Sequence, residues 1–590
     1  MLRVRFVSAH GSPHADYFPD SLLGLICAEA RRRGYDAARL RLHYHGQDPT
    51  RDAAIRERFV AWLRESAPDV IFFDRLFDIA PVETYRAIAP STTVVMLTRG
   101  DSVSPMAGVD YLIGATPGLE RERTRRSPTP GELCRSSVEL LDALERGEDE
   151  SRVPGVSRMS AEQIIFGTPS TRLPLPRPFA PVLEADVIAP GDARPIERHT
   201  LFGNAGCPYG QDPLKQPHFA QLTLPADRPM ARLGCAFCCM GGDYDARPDE
   251  EVIEELVEQA CWLAKHVPDL RELVLEDQAP LRYLGRVLER CAERGAPNLR
   301  WLFASRSDAL LRQGRLIEEA LSTATRTGAE LELYLTGFES FCDAELQRFN
   351  KGVDVQTQLA AVERCRELRR LHPRHFGFTR ARGHSLVLWS PWTTPEDLGE
   401  SLEQIRAHGL CELFDELGKN RLRLYEDLPL YWAARRDHAL LDDWQEGDEG
   451  SARLKGYNTE RPWRFLDERT RLGYALAEAL RARLGAQSEV AQLRAAVEYA
   501  QEMSVDPAQA VARVLRDLDA LDAQIEPLLG RERDQPARAR QRQATPVLFT
   551  GPCNNGCLEC PQGDVYVDEA ELLRRVGERA AGGQALLFAG

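Results

Sequence analysis

Near the end of the 590-residue chain, Gly551-Pro552-Cys553-Asn554-Asn555-Gly556-Cys557-Leu558-Glu559-Cys560 places three cysteines on one loop in the spacing C-x3-C-x2-C. Three thiolates so spaced reach three irons of a four-iron cluster and leave the fourth iron open. An open iron can chelate a small molecule, whereas a closed structural zinc site wants four ligands. A second group stands mid-chain. Cys207 lies in Gly206-Cys207-Pro208-Tyr209-Gly210, and Cys235-Ala236-Phe237-Cys238 follows after 24 residues, Gln211 to Gly234. Loop-closure cost rises only slowly with length, so Cys207 can join Cys235 and Cys238 if the ends of the excursion are close. Cys239 is the rival ligand, but a thiolate adjacent to Cys238 is expected to point elsewhere. These two groups take seven of the fourteen cysteines. Isolated ones at helical spacing, such as Cys27, Cys261 and Cys365, read as small buried hydrophobes.

Hydrophobic residues make up 43% of the chain and charged residues 28%, a globular composition that excludes a disordered or collagen-like protein. The formal net charge of −15 gives no general attraction to nucleic acid or to an anionic membrane. The strand-like start Met1-Leu2-Arg3-Val4-Arg5-Phe6-Val7 is followed by neither a signal peptide nor a span of about 20 apolar residues, so a cytoplasmic location is expected. Thiols in that setting serve singly or as metal ligands rather than in disulfides.

Two series of elements must position these cysteines. From residue 2 to about 115, apolar runs (Val4–Val7, Ala38–Leu40, Val70–Phe73, Thr93–Leu97 and Val109–Leu112) alternate with helical patterns such as Leu22, Leu23, Ile26, Cys27 and Ala30. This predicts a five-stranded doubly wound domain with ligands bound beyond its strand ends, where Ser8-Ala9-His10-Gly11, Asp74-Arg75 and Thr98-Arg99-Gly100-Asp101 stand. A second series runs through Thr200–Phe202, Leu273–Leu275, Trp301–Phe303, Leu331–Leu335, Ser385–Trp389 and Leu422–Leu424, with helical patterns between. Six βα units fit a partial barrel whose chemistry sits at the carboxyl ends of its strands.

The chain is thus expected to be α/β, with six parts in order. A doubly wound Rossmann-like domain covers residues 1–150, a Pro-rich linker 151–196, and a partial (β/α)6 TIM-like barrel 197–430. A helical region follows over 431–530, then a charged linker over 531–545 and a truncated βαβ unit over 546–590.

The C-x3-C-x2-C loop resembles the motif of the radical S-adenosylmethionine enzymes, in which the open iron takes the amino and carboxylate groups of S-adenosylmethionine. Gly206-Cys207-Pro208-Tyr209 resembles the opening Gly-Cys-Pro-Tyr of the cobalamin-domain branch of that superfamily, and Cys235-Ala236-Phe237-Cys238 resembles its close. The resemblance makes Cys207, Cys235 and Cys238 one set of 4Fe–4S ligands and Cys553, Cys557 and Cys560 another, with Phe237 as the aromatic beside the adenine. It extends over about residues 197–430. Leu275-Glu276-Asp277 and Phe303-Ala304-Ser305-Arg306-Ser307-Asp308 resemble the second and third strand ends. Gly337-Phe338-Glu339-Ser340, Asn350-Lys351-Gly352 and Pro391-Trp392-Thr393-Thr394-Pro395-Glu396-Asp397-Leu398 resemble later elements. S-adenosylmethionine presents a carboxylate, an ammonium, a ribose diol and an adenine, which Arg306 or Ser305, Glu276 or Asp277, Glu339 and Phe237 could meet.

The first domain resembles, in architecture, the cobalamin-binding domain that precedes many such barrels. The Asp-x-His-x-x-Gly loop of some cobalamin proteins is absent, and Ser8-Ala9-His10-Gly11-Ser12-Pro13 stands there instead. His10, Gly11 and Gly100 are the residues that would approach a corrinoid. At the far end, residues 546–590 resemble the start of another radical barrel, ending about where its second-strand Gly-Glu element would continue. That segment is expected to begin a second enzyme domain or to serve as an auxiliary cluster site.

The resemblance implies an enzyme that cleaves S-adenosylmethionine reductively to a 5'-deoxyadenosyl radical. With cobalamin bound it implies methyl transfer to an unreactive carbon, and without cobalamin another radical step such as a rearrangement or ring closure. The contrary reading is a corrinoid-sensing or electron-relay protein, which would not cleave S-adenosylmethionine. The expected partners are a small-molecule or peptide substrate and a reductant such as a ferredoxin or flavodoxin, with no nucleic acid or membrane.

Overall fold

The computed structural model describes residues 1–10, 19–43, 49–73, 89–98, 108–114, 127–160, 163–189, 197–225, 230–296, 298–378, 384–414, 417, 420–441, 463–484, 490, 493–494, 496–497, 545–546 and 586–587. Residues Met1–Gln501 form one compact unit and Glu502–Gly590 a second.

The first sheet is built around β1 (Arg3–His10), β2 (Asp36–His43), β3 (Val70–Phe73), β4 (Thr93–Leu97) and β5 (Tyr111–Ile113), all parallel. The central strands are apolar along their length because helices cover both faces of a parallel sheet. Val70–Phe73 is buried at all four positions, and Phe6 stacks on Phe72 at 4.9 Å between ring centroids. On the helix Pro19–Arg32, the predicted face of Leu22, Leu23, Ile26, Cys27 and Ala30 is buried. Strand order reverses between β3 and β1, which places the ligand crevice of a doubly wound sheet at the carboxyl ends of those two strands. The segments that follow the carboxyl ends of β1 to β5 lie outside the described residues.

The sheet has eight strands rather than the five expected, because residues 151–196 are not simply a linker. They supply β6 (Val156–Met159) and β7 (Ile164–Ile165), antiparallel beyond β5, and β8 (Asp186–Ile188), parallel to β2 at the opposite edge. Two to four residues are too few to establish a period, and prolines suit edge strands, whose ladder is open on one side.

The second sheet runs β9 (Arg198–Phe202), β10 (Glu272–Glu276), β11 (Arg300–Ala304), β12 (Glu330–Leu335) and β14 (Phe376–Gly377), parallel and in that spatial order. Beyond β12 the chain breaks at Thr336 and resumes as β13 (Gly337–Glu339), which pairs with β15 (Ser385–Leu386). The fourth and fifth barrel strands are therefore each in two pieces, and β14 escaped the sequence pattern because it is only two residues long. The last predicted strand is reduced to a parallel bridge between Trp389 and Arg421. After it come the helices Pro429–Arg436 and Glu468–Leu484. In the second unit, β16 (Thr545–Pro546) pairs in parallel with β17 (Leu586–Leu587), and the residues between them lie outside the described ones. Among the described residues no helix is long and apolar enough to cross a membrane.

Candidate functional site

The long loop after β9 carries the central cysteines. Gly206 holds φ at +81° with its Cα against the Asp243 carbonyl, where a Cβ would overlap that oxygen. This lets the loop's entrance lie on its own exit. Cys207 donates its N–H to Met240 O (2.9 Å) and accepts from Gly242 N (3.0 Å). Arg172, from the stretch expected as a linker, pairs with Asp243 (2.5 Å) and Asp245 (2.9 Å) on that exit.

The excursion Gln211–Gly234 closes as its length permits. Gly234 N–H donates to Gln211 O at 2.8 Å, so the two ends meet. Asn350 clamps the neck: its side-chain amide donates to Gln211 O (3.1 Å) and Gly234 O (2.7 Å), while its Oδ1 accepts from Gln216 Nε2 (3.2 Å). Tyr209 O–H donates to Asn350 O at 2.8 Å. Beyond the neck, Ala236 is held on both sides, N–H to Phe349 O (2.9 Å) and carbonyl from Leu430 N (3.2 Å).

Asn350→Ala removes both clamp donors and leaves the buried Gly234 carbonyl without this donor, a cost of about 1–3 kcal/mol. Limited proteolysis is expected to cut within residues 211–234 faster in this variant than in the wild type. An unchanged cleavage rate would mean that the neck closes without the clamp.

Cys207, Cys235, Cys238 and Cys239 are all half-buried. Burial pushes the Cys207 thiol up, and the Arg306 and Lys351 charges oppose it. Cys239 does not point away as expected. It hydrogen-bonds the Cys238 thiol, which this bond and burial push well up. The reason is that the chain bends at Cys239 and Met240 rather than extending, so neighbouring side chains do not alternate there. Among the described residues no three His, Cys, Asp or Glu side chains converge on a single ion. Thiolates bound each to a different iron need no such convergence, and three sulfurs on one closed loop beside two cations suit a four-iron cluster.

Of the remaining predicted residues, Arg306 stands directly beside Cys235. Arg306, directly after β11, places Nη1 3.8 Å from Cys235 Sγ and its guanidinium 4.0 Å from the centroid of the Tyr209 ring. Lys351 Nζ lies 3.2 Å from Glu339 Oε1 and 5.9 Å from the centre of the Phe237 ring, which meets Phe349 edge-on at 5.5 Å. Ser385 Oγ donates to the same Glu339 oxygen at 3.0 Å. Glu339 itself has φ +65°, a left-handed conformation that is costly for a residue with a side chain. Ser305 is buried, its hydroxyl on Arg306 O at 3.3 Å.

The two acidic candidates after β10 part company. Glu276 is half-buried at the strand end, while Asp277 is fully enclosed and accepts from Asn204 N (2.6 Å), Ala279 N (2.7 Å), Tyr244 O–H (2.9 Å) and Tyr283 O–H. Burial raises the Asp277 pKa, and these donors oppose it. Its carboxylate ties β9, the loop exit and β10 together.

His10 is the last residue of β1, while Gly11, Gly100, Cys553, Cys557 and Cys560 lie outside the described residues. Cys27 and Cys365 are buried as expected, but Cys261 is only half-buried, hydrogen-bonded to Cys291 of the neighbouring helix. The stretch Thr394–Leu398 starts a helix: Thr394 and Asp397 form a capping box, and Arg348 pairs with Asp397 at 2.8 Å. Tyr209, Asn350, Lys351 and Ser385 join the site in addition to the residues expected from the sequence. The signal for three of them was present in Gly-Cys-Pro-Tyr and Asn-Lys-Gly, but their contacts with the cysteine loop are made across more than a hundred residues of chain.

No protein-family model and no curated protein matches the chain. Among solved structures, the cobalamin-dependent S-adenosylmethionine radical enzyme OxsB with aqua-cobalamin bound aligns over 87% of this chain and 75% of its own, with TM-score 0.53 and 11% identity. The radical S-adenosylmethionine methyltransferase TsrM from Kitasatospora setae, with cobalamin and a 4Fe–4S cluster bound, aligns over 86% of this chain and 90% of its own, with TM-score 0.47 and 14% identity. MurG of Acinetobacter baumannii reaches a TM-score of 0.17 at 9% identity, over 74% of this chain and 95% of its own. The chain therefore shares its fold with the cobalamin-dependent S-adenosylmethionine radical enzyme OxsB, and in this chain that fold is a doubly wound sheet followed by a parallel partial barrel.

Proposed function

We propose that the chain is a radical S-adenosylmethionine enzyme that holds a four-iron cluster on Cys207, Cys235 and Cys238 and a corrinoid at its first sheet, and that it methylates an unreactive carbon of a small-molecule or peptide substrate. The observation that carries this reading is the closed neck of the excursion, Gly234 N to Gln211 O at 2.8 Å, which unites the split cysteine motif. The fold shared with OxsB supports the pairing of the two domains. When bound, the cluster supplies the electron that splits S-adenosylmethionine, and the corrinoid serves as methyl carrier.

The protein's own residues bind and orient. Glu276 faces the ammonium, Ser305 and Arg306 flank the place of the carboxylate, and Phe237 offers a face to the adenine. Glu339 accepts from the ribose diol, its carboxylate held in advance by Lys351 and Ser385. Asp277 acts one step back, holding the strand ends. A corrinoid would be held at the first sheet, whose strand order reverses between β1 and β3, with His10, Gly11 and Gly100 as the residues proposed to approach it. A ferredoxin or flavodoxin supplies electrons in the cytoplasm, and the triad Cys553, Cys557 and Cys560 binds a second cluster.

The test uses the full chain, reconstituted anaerobically with iron and sulfide and given hydroxocobalamin, dithionite and S-adenosylmethionine. Corrinoid absorbance should survive desalting, and S-adenosylhomocysteine should form alongside 5'-deoxyadenosine. Cleavage to 5'-deoxyadenosine without retained corrinoid would remove methyl transfer and leave another radical step. No cleavage at all would leave only the corrinoid-sensing or electron-relay reading.

A further inference from the structure

We infer that Arg306 is a positioning residue for the cysteine loop, which hydrogen-bonds the Cys235 sulfur and raises the reduction potential of the cluster that sulfur ligates. The inference rests on the cluster reading above and adds a role to a residue placed beside the carboxylate of S-adenosylmethionine. The guanidinium is aimed by three independent contacts. Its Nε donates to Asp308 Oδ1 (3.0 Å), its Nη2 to Lys351 O (2.7 Å), and its plane lies over Tyr209. Those three fix a planar fork, and the remaining arm then falls 3.8 Å from Cys235 Sγ.

The placement spans the split motif. Tyr209 follows Cys207 by two residues and Cys235 lies across the neck, so one side chain contacts residues from both halves of the split motif. Arg306 also keeps most of its charge: Asp308 is shared with Arg312, at 2.9 Å, so two cations face one carboxylate. The side chain is only 12% exposed, and solvent screens it little. Reduction adds an electron to the cluster and part of that charge falls on the thiolate sulfurs. A cationic N–H donor at a sulfur therefore stabilises the reduced form more than the oxidised one and raises the potential.

The test is the midpoint potential of the central cluster, followed by EPR in the full reconstituted chain with no S-adenosylmethionine present. Cys553, Cys557 and Cys560 are replaced by Ala in every sample, so that only one cluster is read. Arg306→Gln is expected to move the potential to a more negative value at unchanged iron content, with Arg306→Lys between it and the wild type. If the Gln variant fails to load, the Lys variant carries the measurement, because it keeps the charge and loses the fork. A role confined to the carboxylate of S-adenosylmethionine would not move a potential measured without that ligand, so equal potentials in loaded samples would overturn the inference alone. Absence of any cluster from the parent with Arg306 intact would instead overturn the reading on which it rests.

Discussion

Replacing Cys207, Cys235 and Cys238 together by Ala is expected to remove about four irons per chain and to abolish reductive cleavage of S-adenosylmethionine. The argument is the closed neck. Were the excursion open, Cys207 would be separated from the other two thiols and no common cluster would form. Cys239 gives the control. Its thiol hydrogen-bonds Cys238, so proximity alone does not exclude it, but C-x2-C spacing favours Cys235 with Cys238. Cys239→Ala should therefore keep both iron and cleavage. Unchanged iron in the triple variant would sink the split motif, and loss of iron in Cys239→Ala with retention in Cys238→Ala would exchange those two ligands.

The other large effect is expected at Lys351. Its ammonium and the Glu339 carboxylate are 7% and 8% exposed and lie 3.2 Å apart, a buried ion pair. Burial pulls the Lys351 pKa down, but Glu339 holds it above its ordinary value. Lys351→Met leaves Glu339 buried without its cation, and breaking such a pair costs about 3–5 kcal/mol. Thermal unfolding of the barrel should move down accordingly. The double variant Lys351→Met with Glu339→Gln should recover much of the loss, because the uncompensated charge is gone. A single variant as stable as the wild type would mean that water reaches this pair and screens it.

The sequence by itself determined the elements and their order. Apolar runs such as Val70–Phe73 and the helical face of Leu22, Ile26 and Ala30 follow from burial, which a local period records directly. The same holds for the cysteines at 235 and 238, whose spacing is a local property of one turn. Edge strands of two or three residues, β7, β8 and β14, left no period and became visible only when their neighbours were in place. What tertiary structure alone decided was which distant groups meet. The amide of Asn350 closes a neck 116 and 139 residues away, and Arg306 reaches Cys235 across 71. Likewise, Glu276 and Asp277 are equivalent as neighbouring acids in sequence, yet one stays half-buried at a strand end while the other is enclosed by four donors. Adjacent residues of an extended chain face opposite ways, and what waits on each side is set by other parts of the chain.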